Sequence, residues 1–180
     1  MTTKPSADLR IGWLDTHHDR VQFTCGVETL DRYLKTQASQ DMRRKANGVF
    51  VLTKLAESGR MLGYYTLCAT ALSQGEVPDA ARKHIPRYPL VSATLIGRLA
   101  VVKDQQGHGL GAILLGDALT RACVSAESVG SSMVVVDALD EGAAAFYAAH
   151  GFVRLPESLR LVLPILSINR MMSSSVSISP

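Results

Sequence analysis

The sequence predicts a mixed α/β fold of the α+β kind, with one sheet and helices packed against it. Apolar residues recur at helical spacing in some segments, and runs rich in β-branched and aromatic residues lie between them. The chain has 180 residues, 47% of them hydrophobic, which is enough for one core but short for two. We therefore expect one domain over residues 1–166 and a flexible, serine-rich tail over residues 167–180.

The first half of the chain predicts one helix, a β-hairpin and a proline-interrupted stretch that allows only a short helix. Leu30, Leu34 and Ala38 lie on one face of the predicted helix. The ranges are Glu28–Asp41 for the helix, Val49–Thr53 and Met61–Cys68 for the two strands, and Val77–Pro89 for the proline-bearing stretch.

The second half of the chain alternates strands with helices. Its apolar run at Met133–Val136 is typical of a strand buried on both faces. Gly151 stands where a helix C-cap requires glycine. The predicted order is strand Ser92–Val102, helix Gly109–Ala126, strand Met133–Val136, helix Glu141–His150 and strand Leu159–Ile165.

Composition excludes several classes of protein. No apolar run approaches the roughly 20 residues that span a bilayer, and the N-terminal residues lack the apolar core of a signal peptide. Three widely spaced cysteines form no CxxC pair and the five histidines stand in no metal motif, so neither a disulfide framework nor a metal site is expected. We expect a cytoplasmic protein. The net charge of +3 suits an anionic ligand without requiring one.

A glycine-rich turn between a predicted strand and a predicted helix carries the strongest functional signal. The segment runs Gln106-Gly107-His108-Gly109-Leu110-Gly111. The first turn of a helix leaves backbone N–H groups without partners, and the helix dipole adds partial positive charge there. Glycines let an anion approach these donors, so the segment predicts a pyrophosphate cradle. The alternative is a glycine-rich helix start without a ligand.

Two common nucleotide-binding motifs do not fit this segment. It lacks the Gly-Lys-Ser/Thr ending of a nucleotide-hydrolysing P-loop. Its glycine spacing is GxGxG rather than GxGxxG, and no ribose-binding acid follows at the expected distance. A dinucleotide site is therefore disfavoured as well.

The spacing Gln106-x-x-Gly109-x-Gly111 resembles the Q/R-x-x-G-x-G/A motif of the GNAT acetyltransferases. This resemblance implies an acyl-CoA N-acyltransferase fold, whose central, mostly antiparallel twisted sheet is flanked by helices. It also implies that acetyl-CoA is the co-substrate of an N-acetyltransferase without a metal, and that the preceding strand pairs through its backbone with the pantetheine arm. The implied cofactor-binding residues are Leu99, Val101, Gln106, Gly107, His108, Gly109, Leu110 and Gly111.

Tyr147 is the catalytic residue that this resemblance implies. GNAT enzymes resemble the chain in carrying an aromatic pair on the helix that ends before Gly151-Phe152, and their tyrosine commonly protonates the departing thiolate. A phenol with an ordinary pKa of about 10 is protonated at neutral pH and can act as a general acid. The alternative is a core aromatic pair, which we favour for Phe146. No general base is evident, so direct attack of the amine on the thioester is expected.

Further short sequence segments, taken in order along the chain, narrow the resemblance to one branch of the GNAT family. They are Phe23-Thr24-Cys25-Gly26, Leu30-Asp31-Arg32-Tyr33-Leu34, Gln40-Asp41 with Arg43, Gly63-Tyr64-Tyr65-Thr66-Leu67, Pro86-Arg87-Tyr88-Pro89 and Gly97-Arg98-Leu99-Ala100-Val101. Together they resemble the GNAT-type toxins of bacterial toxin–antitoxin pairs. That resemblance implies acetylation of the α-amino group of aminoacyl-tRNA, which blocks translation. It also implies a homodimer and a ribbon-helix-helix antitoxin, whose complex with the toxin binds operator DNA.

An RNA substrate requires cations that contact its phosphates. The candidate tRNA-contacting residues are Arg43, Arg44, Lys45, Arg87 and Arg98, and Arg82 and Lys83 lie near Arg87 in the sequence. Ordinary solvated surface charges explain such clusters equally well.

Two other functions remain open. One is a GNAT enzyme that acts on a small amine, an antibiotic or a protein N-terminus and needs neither a basic surface nor an antitoxin. The other is a module that binds coenzyme A or a partner without turnover. The chain departs from the toxins in two respects. The toxins often place an aspartate after the last of these short segments, where this chain has Val102-Lys103, and the segment beyond Pro164 has no counterpart in the toxin pattern.

Overall fold

The structure, a computed structural model, describes residues 8–176. Within that range the chain forms seven strands and six α-helices. The strands are β1 Leu9–Trp13, β2 Gly48–Lys54, β3 Glu57–Ser73, β4 Leu90–Val101, β5 Met133–Asp137, β6 Val153–Arg154 and β7 Arg160–Pro164. The helices are α1 Glu28–Thr36, α2 Ala38–Arg43, α3 Asp79–Arg82, α4 Leu110–Val129, α5 Glu141–Ala149 and α6 Ile165–Val176.

The seven strands form one sheet in the order β1-β2-β3-β4-β5-β7-β6. Strands β4 and β5 run parallel, and the pairs β1–β2, β2–β3, β5–β7 and β6–β7 are antiparallel. The mixed α/β class and the mostly antiparallel sheet are therefore confirmed. The described chain divides into two compact units, the first comprising residues 8–68 and 97–118 and the second residues 69–96 and 119–176.

In the first unit, strand β3 is buried on both faces because a helix contacts each of them. Successive side chains of a strand point to opposite faces, and Tyr64 and Tyr65 are both fully buried. The Tyr64 hydroxyl donates to the Leu30 carbonyl oxygen of α1 at 2.7 Å, and the Tyr65 hydroxyl donates to the Asp117 carboxylate of α4. Each buried phenol thus finds the hydrogen-bond partner that burial requires.

The core of the second unit is an aliphatic cluster around β5 and β7. All residues of the run Met133–Val136 are 0% exposed, which fits the prediction of a strand buried on both faces. The cluster comprises Leu72, Val77, Ala81, Ile85, Val91, Ala93, Met133, Val135, Leu155 and Val162.

Two elements of the first unit differ from the sequence-based prediction. The single helix predicted over Glu28–Asp41 is instead two helices, α1 and α2, which meet at Gln37 in a non-helical conformation (φ −121°, ψ −31°). Asp41 orients α2, because its carboxylate accepts hydrogen bonds from the Tyr33 hydroxyl at 2.9 Å and from the Asn47 side chain at 3.0 Å. Strand β1 is not predicted at all, because it is a short, partly exposed edge strand without regular alternation of buried residues.

The C-terminal segment also differs from its prediction. Residues 167–176 belong to helix α6, whereas the sequence predicts a flexible tail from residue 167. Ile165 and Ile168 lie one helical turn apart and are only 8% and 2% exposed, so apolar contacts anchor the start of the helix. The serine-rich composition of the segment favours the prediction of a flexible tail, although the two apolar residues of this pair are spaced as in a helix. Residues 177–180 of the predicted tail lie outside the described range.

Candidate active site

The predicted phosphate loop lies between β4 and α4 in the first unit. A short 3-10 turn over Lys103–Gln105 follows β4, and α4 begins at Leu110. Gly107 and Gly109 have φ angles of +80° and +81°, a left-handed conformation that residues with a side chain rarely adopt. A Cβ atom at either position would meet no atom within 4 Å. Backbone conformation, rather than crowding, is therefore what requires glycine here.

The loop leaves its backbone donors available. Among the described residues, no hydrogen bond is donated by the backbone N–H groups of residues 107–112. The last three of these groups belong to the first turn of α4, where no intrahelical acceptor exists. The dipole of this 20-residue helix adds partial positive charge at the same place. Such an arrangement can bind a phosphate through the main chain alone.

The Gln106 side chain is engaged by the protein itself. Its Nε2 atom donates to the carbonyl oxygens of Cys25 at 2.8 Å and Val101 at 3.0 Å. One amide therefore ties the loop both to the end of β4 and to the segment that precedes α1. The sequence motif identifies this glutamine but not its role, because the Cys25 contact spans 81 positions of the chain.

Leu99 and Val101 lie in the last part of β4 and are half-buried. The final pair of the parallel ladder between β4 and β5 joins Ile96 to Val136. Residues 97–101 thus extend beyond that ladder, as the prediction of backbone pairing with a ligand requires.

Close packing fixes the end of β4 from the side of β3. A Cβ atom at Gly63 would lie 2.8 Å from the Ala100 carbonyl oxygen and 2.8 Å from Cδ1 of Leu114. Any side chain at position 63 would therefore push β3 away from both β4 and α4. Glycine at this position brings the three elements together where the loop begins.

Tyr147 lies on α5 in the second unit, and its side chain is only 7% exposed. Burial raises the pKa of its phenol to about 12, so the hydroxyl is protonated throughout the neutral range. This hydroxyl makes no hydrogen bond within the described part of the chain. Its oxygen is not fully enclosed, because Thr66 alone carries a buried, unpartnered side-chain oxygen among the described residues. The Tyr147 hydroxyl is therefore available to donate its proton to a ligand, since no group within residues 8–176 accepts it.

Helix α5 is capped at both ends, and this holds Tyr147 in place. The Asp140 side chain accepts a hydrogen bond from a backbone N–H of the first turn at 2.8 Å, and Gly151 follows the helix with φ +95°. The rings of Phe146 and Phe152 pack edge-on against the tyrosine, with centroids 5.2 Å and 5.5 Å away. Phe146 is half-buried and packs against Tyr147, outside the fully buried core.

Arg98, a candidate tRNA-contacting residue, lies over a buried aromatic ring. Its guanidinium carbon is 3.5 Å from the centroid of the Tyr33 ring, which is a cation–π geometry. Burial raises the pKa of the Tyr33 phenol to about 12, although the Arg98 charge acts in the opposite direction. The guanidinium makes no ion pair with any described residue, so its N–H donors are available.

The other candidate cations are exposed. Arg43, Arg44 and Lys45 follow one another at the end of α2 in the first unit and form no ion pair within the described range. Arg87 is exposed in the second unit. Arg82 is engaged, because it pairs with a carboxylate within α3 at 3.2 Å.

A cavity of about 830 Å³ in the first unit is not evident from the sequence. Its walls come from the segments 19–24, 59–61 and 102–104, so no single motif marks it. Val102, where the chain departs from the toxin pattern, is buried at one wall, and Lys103 lines the cavity beside it. Both residues of this departure therefore line the cavity.

The described residues hold no group of three or more histidine, cysteine or acidic side chains that would suit a metal ion. His108, the histidine of the loop, is exposed, and its Nδ1 atom lies 3.2 Å from the Gln105 carbonyl oxygen. Nor is any helix between residues 8 and 176 both long and apolar enough to cross a membrane.

Comparison with known families agrees with the fold. A family model described as an acetyltransferase (GNAT) domain matches residues 45–154, which include the loop and Tyr147. The chain belongs to the GNAT family of acetyltransferases. The family predicted from the motif is thereby confirmed.

Similar proteins belong to the toxin branch of this family. A tRNA-acetylating toxin of Mycobacterium tuberculosis is 34% identical over 159 residues, which are 88% of this chain and 91% of that protein. The structure of AtaT complexed with acetyl-methionyl-tRNAfMet has a TM-score of 0.84 and 32% identity, covering 92% of this chain and 99% of that one. A mutant AtaT toxin bound to the C-terminus of the antitoxin AtaR and acetyl-CoA has a TM-score of 0.79 and 29% identity, with coverage of 92% and 99%. The resemblance to GNAT-type toxins is confirmed.

Proposed function

We propose that this protein transfers the acetyl group of acetyl-CoA to the α-amino group of aminoacyl-tRNA and acts as the toxin of a toxin–antitoxin pair. The observation that carries the proposal is the loop before α4, where the N–H groups of residues 107–112 have no partner in the described chain. Membership of the GNAT family supports acetyl transfer. The aminoacyl-tRNA acceptor is supported by the similarity to the mycobacterial tRNA-acetylating toxin and to AtaT.

In this proposal, acetyl-CoA supplies an activated acetyl thioester, and the chain supplies its binding site. The backbone donors of residues 107–112 hold the pyrophosphate, because unpaired N–H groups and a helix dipole both favour an anion. The Gln106 side chain keeps the loop in place through its two bonds to carbonyl oxygens. The backbone of Leu99 to Val101, beyond the end of the β4–β5 ladder, pairs with the pantetheine arm and polarises the thioester carbonyl.

Tyr147 serves as the proton donor to the departing thiolate. A pKa of about 12 keeps the phenol protonated at neutral pH but makes it a weaker acid than a free tyrosine. The hydroxyl therefore acts first as a hydrogen-bond donor to the sulfur, and the proton moves as negative charge builds up there. The attacking amine releases its proton to water, and water returns a proton to the Tyr147 oxygen.

The acceptor is held by exposed cations that form no ion pair within residues 8–176. Arg43, Arg44, Lys45 and Arg87 contact phosphates, and binding through such contacts weakens as salt rises because counterions are released. Arg98 contributes a guanidinium already oriented by the Tyr33 ring. Charged tRNA as the substrate places the reaction in the cytoplasm.

The proposal includes a protein partner, an antitoxin of the ribbon-helix-helix class. Support comes from AtaT, which binds the C-terminus of its antitoxin AtaR. The class of the antitoxin, the binding of the toxin–antitoxin complex to operator DNA and a toxin homodimer follow from the toxin resemblance. Light scattering on the isolated protein measures the homodimer, and co-expression with the neighbouring reading frame tests neutralisation.

The decisive experiment is acetyl transfer from labelled acetyl-CoA to total charged tRNA, with wild type and Tyr147→Phe side by side. We expect label on the aminoacyl group with the wild type and little with the variant. Deacylated tRNA is the matched control, because it offers the same phosphates without the α-amino group. Label on a small amine or a protein N-terminus, with none on charged tRNA, would instead identify an acetyltransferase of another substrate class. Coenzyme A binding without thiol release from any acceptor would identify a binding module.

The basic surface has its own test. Reversing the charge at Arg43 and Arg44 should raise the KM for charged tRNA and reduce its dependence on salt. An unchanged KM in both variants would remove these two residues from the proposed tRNA surface.

A further inference from the structure

An exposed tryptophan and the neighbouring Lys45 line a second candidate site in the first unit. Trp13, the only tryptophan of the chain, ends the edge strand β1 and is 59% exposed. It borders a cavity of about 360 Å³ together with Met42, Lys45, Asn47 and Gly48. None of these lining residues is acidic.

Two further aromatic rings support the indole from inside the protein. The Trp13 and Phe50 rings have centroids 4.4 Å apart, and Phe50 stacks on Tyr65 with centroids 5.1 Å apart. Phe50 and Tyr65 are buried, so only the outer end of this three-ring stack reaches solvent. A Cβ atom at Gly48 would lie 3.3 Å from the indole and 3.2 Å from the Phe50 ring. Glycine at this position therefore lets the rings pack over strand β2.

Three consecutive cations lie at the end of α2: Lys45 lines the cavity together with Trp13, and Arg43 and Arg44 precede it in the chain. Arg43, Arg44 and Lys45 are exposed and have no hydrogen-bond or ion-pair partner for their side chains among the described residues. Lys45 has a φ angle of +60°. The backbone N–H groups of the two residues that follow it donate to the backbone carbonyl oxygen of Asp41 and hold the turn. The Asp41 carboxylate is already bonded to a tyrosine hydroxyl and to the Asn47 side chain. Among the described residues this carboxylate forms no ion pair with the three cations, so they remain available to a ligand.

We propose that Trp13 and these three cations bind a single-stranded segment of RNA. One base stacks on the indole, and Arg43, Arg44 and Lys45 contact the phosphates on either side of it. An aromatic platform beside basic side chains binds single strands with little sequence preference, because every base has a π-face. The basic, carboxylate-free border favours a polyanion over an apolar protein segment. The inference rests on the proposed function for the identity of the RNA, namely an unpaired stretch of the tRNA substrate.

The single tryptophan is its own probe. The emission of the full-length protein is followed during titration with a 12-nucleotide oligo(A), and a ribose–phosphate chain of the same length without bases is the matched control. Stacking of a base on Trp13 should quench the emission with oligo(A) and leave it nearly constant with the abasic chain. Equal changes with the two strands, or no change with either, would overturn the proposal.

Variants separate stacking from packing and from charge. Trp13→Leu keeps an apolar side chain over Phe50 but removes the ring, and we expect the Kd for dye-labelled oligo(A) to rise by about tenfold. Trp13→Phe keeps a smaller ring and should lose less affinity. Arg44→Gln should lower the slope of log K against log salt by about 0.7 for each lost phosphate contact. Lys54→Gln, an exposed cation at the far end of β2, is the matched control and should leave the slope unchanged.

Thermal unfolding of each variant tests whether it is folded. Acetyl transfer to charged tRNA by the same preparations distinguishes failure of this inference from failure of the proposed function. Transfer by the wild type, with an unchanged KM in Trp13→Leu and no base-dependent quenching, would refute the RNA platform while the function stands. Base-dependent quenching without any transfer would refute the function while the platform stands. If Trp13→Leu lost binding of the antitoxin but kept full affinity for oligo(A), the surface would be a protein-binding face and the proposal would be wrong.

Discussion

The loop before α4 and helix α5 present their functional groups in opposite ways. In the loop the functional groups are backbone N–H donors, and the residue types are those that let the backbone adopt and keep its conformation. Gly107 and Gly109 adopt left-handed angles, and the Gln106 amide bonds to two carbonyl oxygens. In α5 a cap at each end holds the backbone, and one side chain, Tyr147, carries the proposed chemistry. The loop should therefore be sensitive to any change that moves its backbone, whereas the function of α5 should depend mainly on one oxygen atom.

The largest effect that this comparison predicts is the loss of that oxygen. In Tyr147→Phe we expect kcat to fall on the order of 100-fold or more, because a positioned general acid contributes at least that much. The Kd for acetyl-CoA should be unchanged, since the ring still fills its place beside Phe152. Steady-state thiol release and calorimetric titration with acetyl-CoA measure the two quantities. Phe146→Leu removes a ring from the same helix without touching the hydroxyl and should keep kcat. An equal fall in both variants would show that α5 needs its packing rather than its phenol.

A second effect should appear in the loop as a change in binding. Gln106→Leu leaves the carbonyl oxygens of Cys25 and Val101 without their donor, and the loop loses its tie to both segments. We expect the KM for acetyl-CoA to rise by about tenfold, which corresponds to the loss of one or two ordinary hydrogen bonds. Gln105→Leu is the control, because the Gln105 side chain makes no hydrogen bond within residues 8–176. If the two variants had the same KM, the side chain of Gln106 would not be what positions the loop.

A pair of glycines on either side of the start of α4 sharpens the contrast between strained and relaxed backbone. Gly109→Ala places a side chain at φ +81° and should lower the free energy of unfolding by about 1–2 kcal/mol. Gly116→Ala, in the helix interior with no atom within 4 Å of the new Cβ, should raise it by about 1 kcal/mol. Urea unfolding of both variants gives the two values. Opposite signs support the interpretation, whereas a Gly109→Ala variant as stable as the wild type would show that the loop relaxes freely.

The smallest effect concerns the phenol of Tyr147 at alkaline pH. Because burial raises its folded-state pKa to about 12, the folded protein holds this proton more tightly than the unfolded chain does. The stabilisation is fully present below about pH 10 and is lost as the pH rises from there towards 12. At pH 11 the wild type should therefore have lost about 1 kcal/mol more than Tyr147→Phe, relative to pH 8. Urea unfolding at the two pH values measures this difference. Equal losses of unfolding free energy in the two proteins would mean that ionisation of the phenol does not destabilise the folded state.

Local patterns predicted much of the fold and the core of the candidate site. The glycines of the loop, the buried strand at Met133–Val136 and the helix that carries Tyr147 each depend on neighbours within a few residues, and each is found where the sequence predicts it. Local patterns failed where contacts from elsewhere decide the conformation. Helix α6 forms in a serine-rich segment because Ile165 and Ile168 are buried.

The division between the two sources of information is clearest in individual side chains. The sequence by itself determined the order of the main elements, the backbone requirement for glycine in the loop and the family, because periodicity, turn chemistry and motif spacing are properties of adjacent residues. Only the tertiary structure decided that Gln106 bonds to Cys25, that Arg98 lies over Tyr33 and that Trp13 stacks on Phe50. Each of these contacts joins residues far apart in the chain, and short-range attractions such as hydrogen bonding and ring packing act between them only after folding has brought them together.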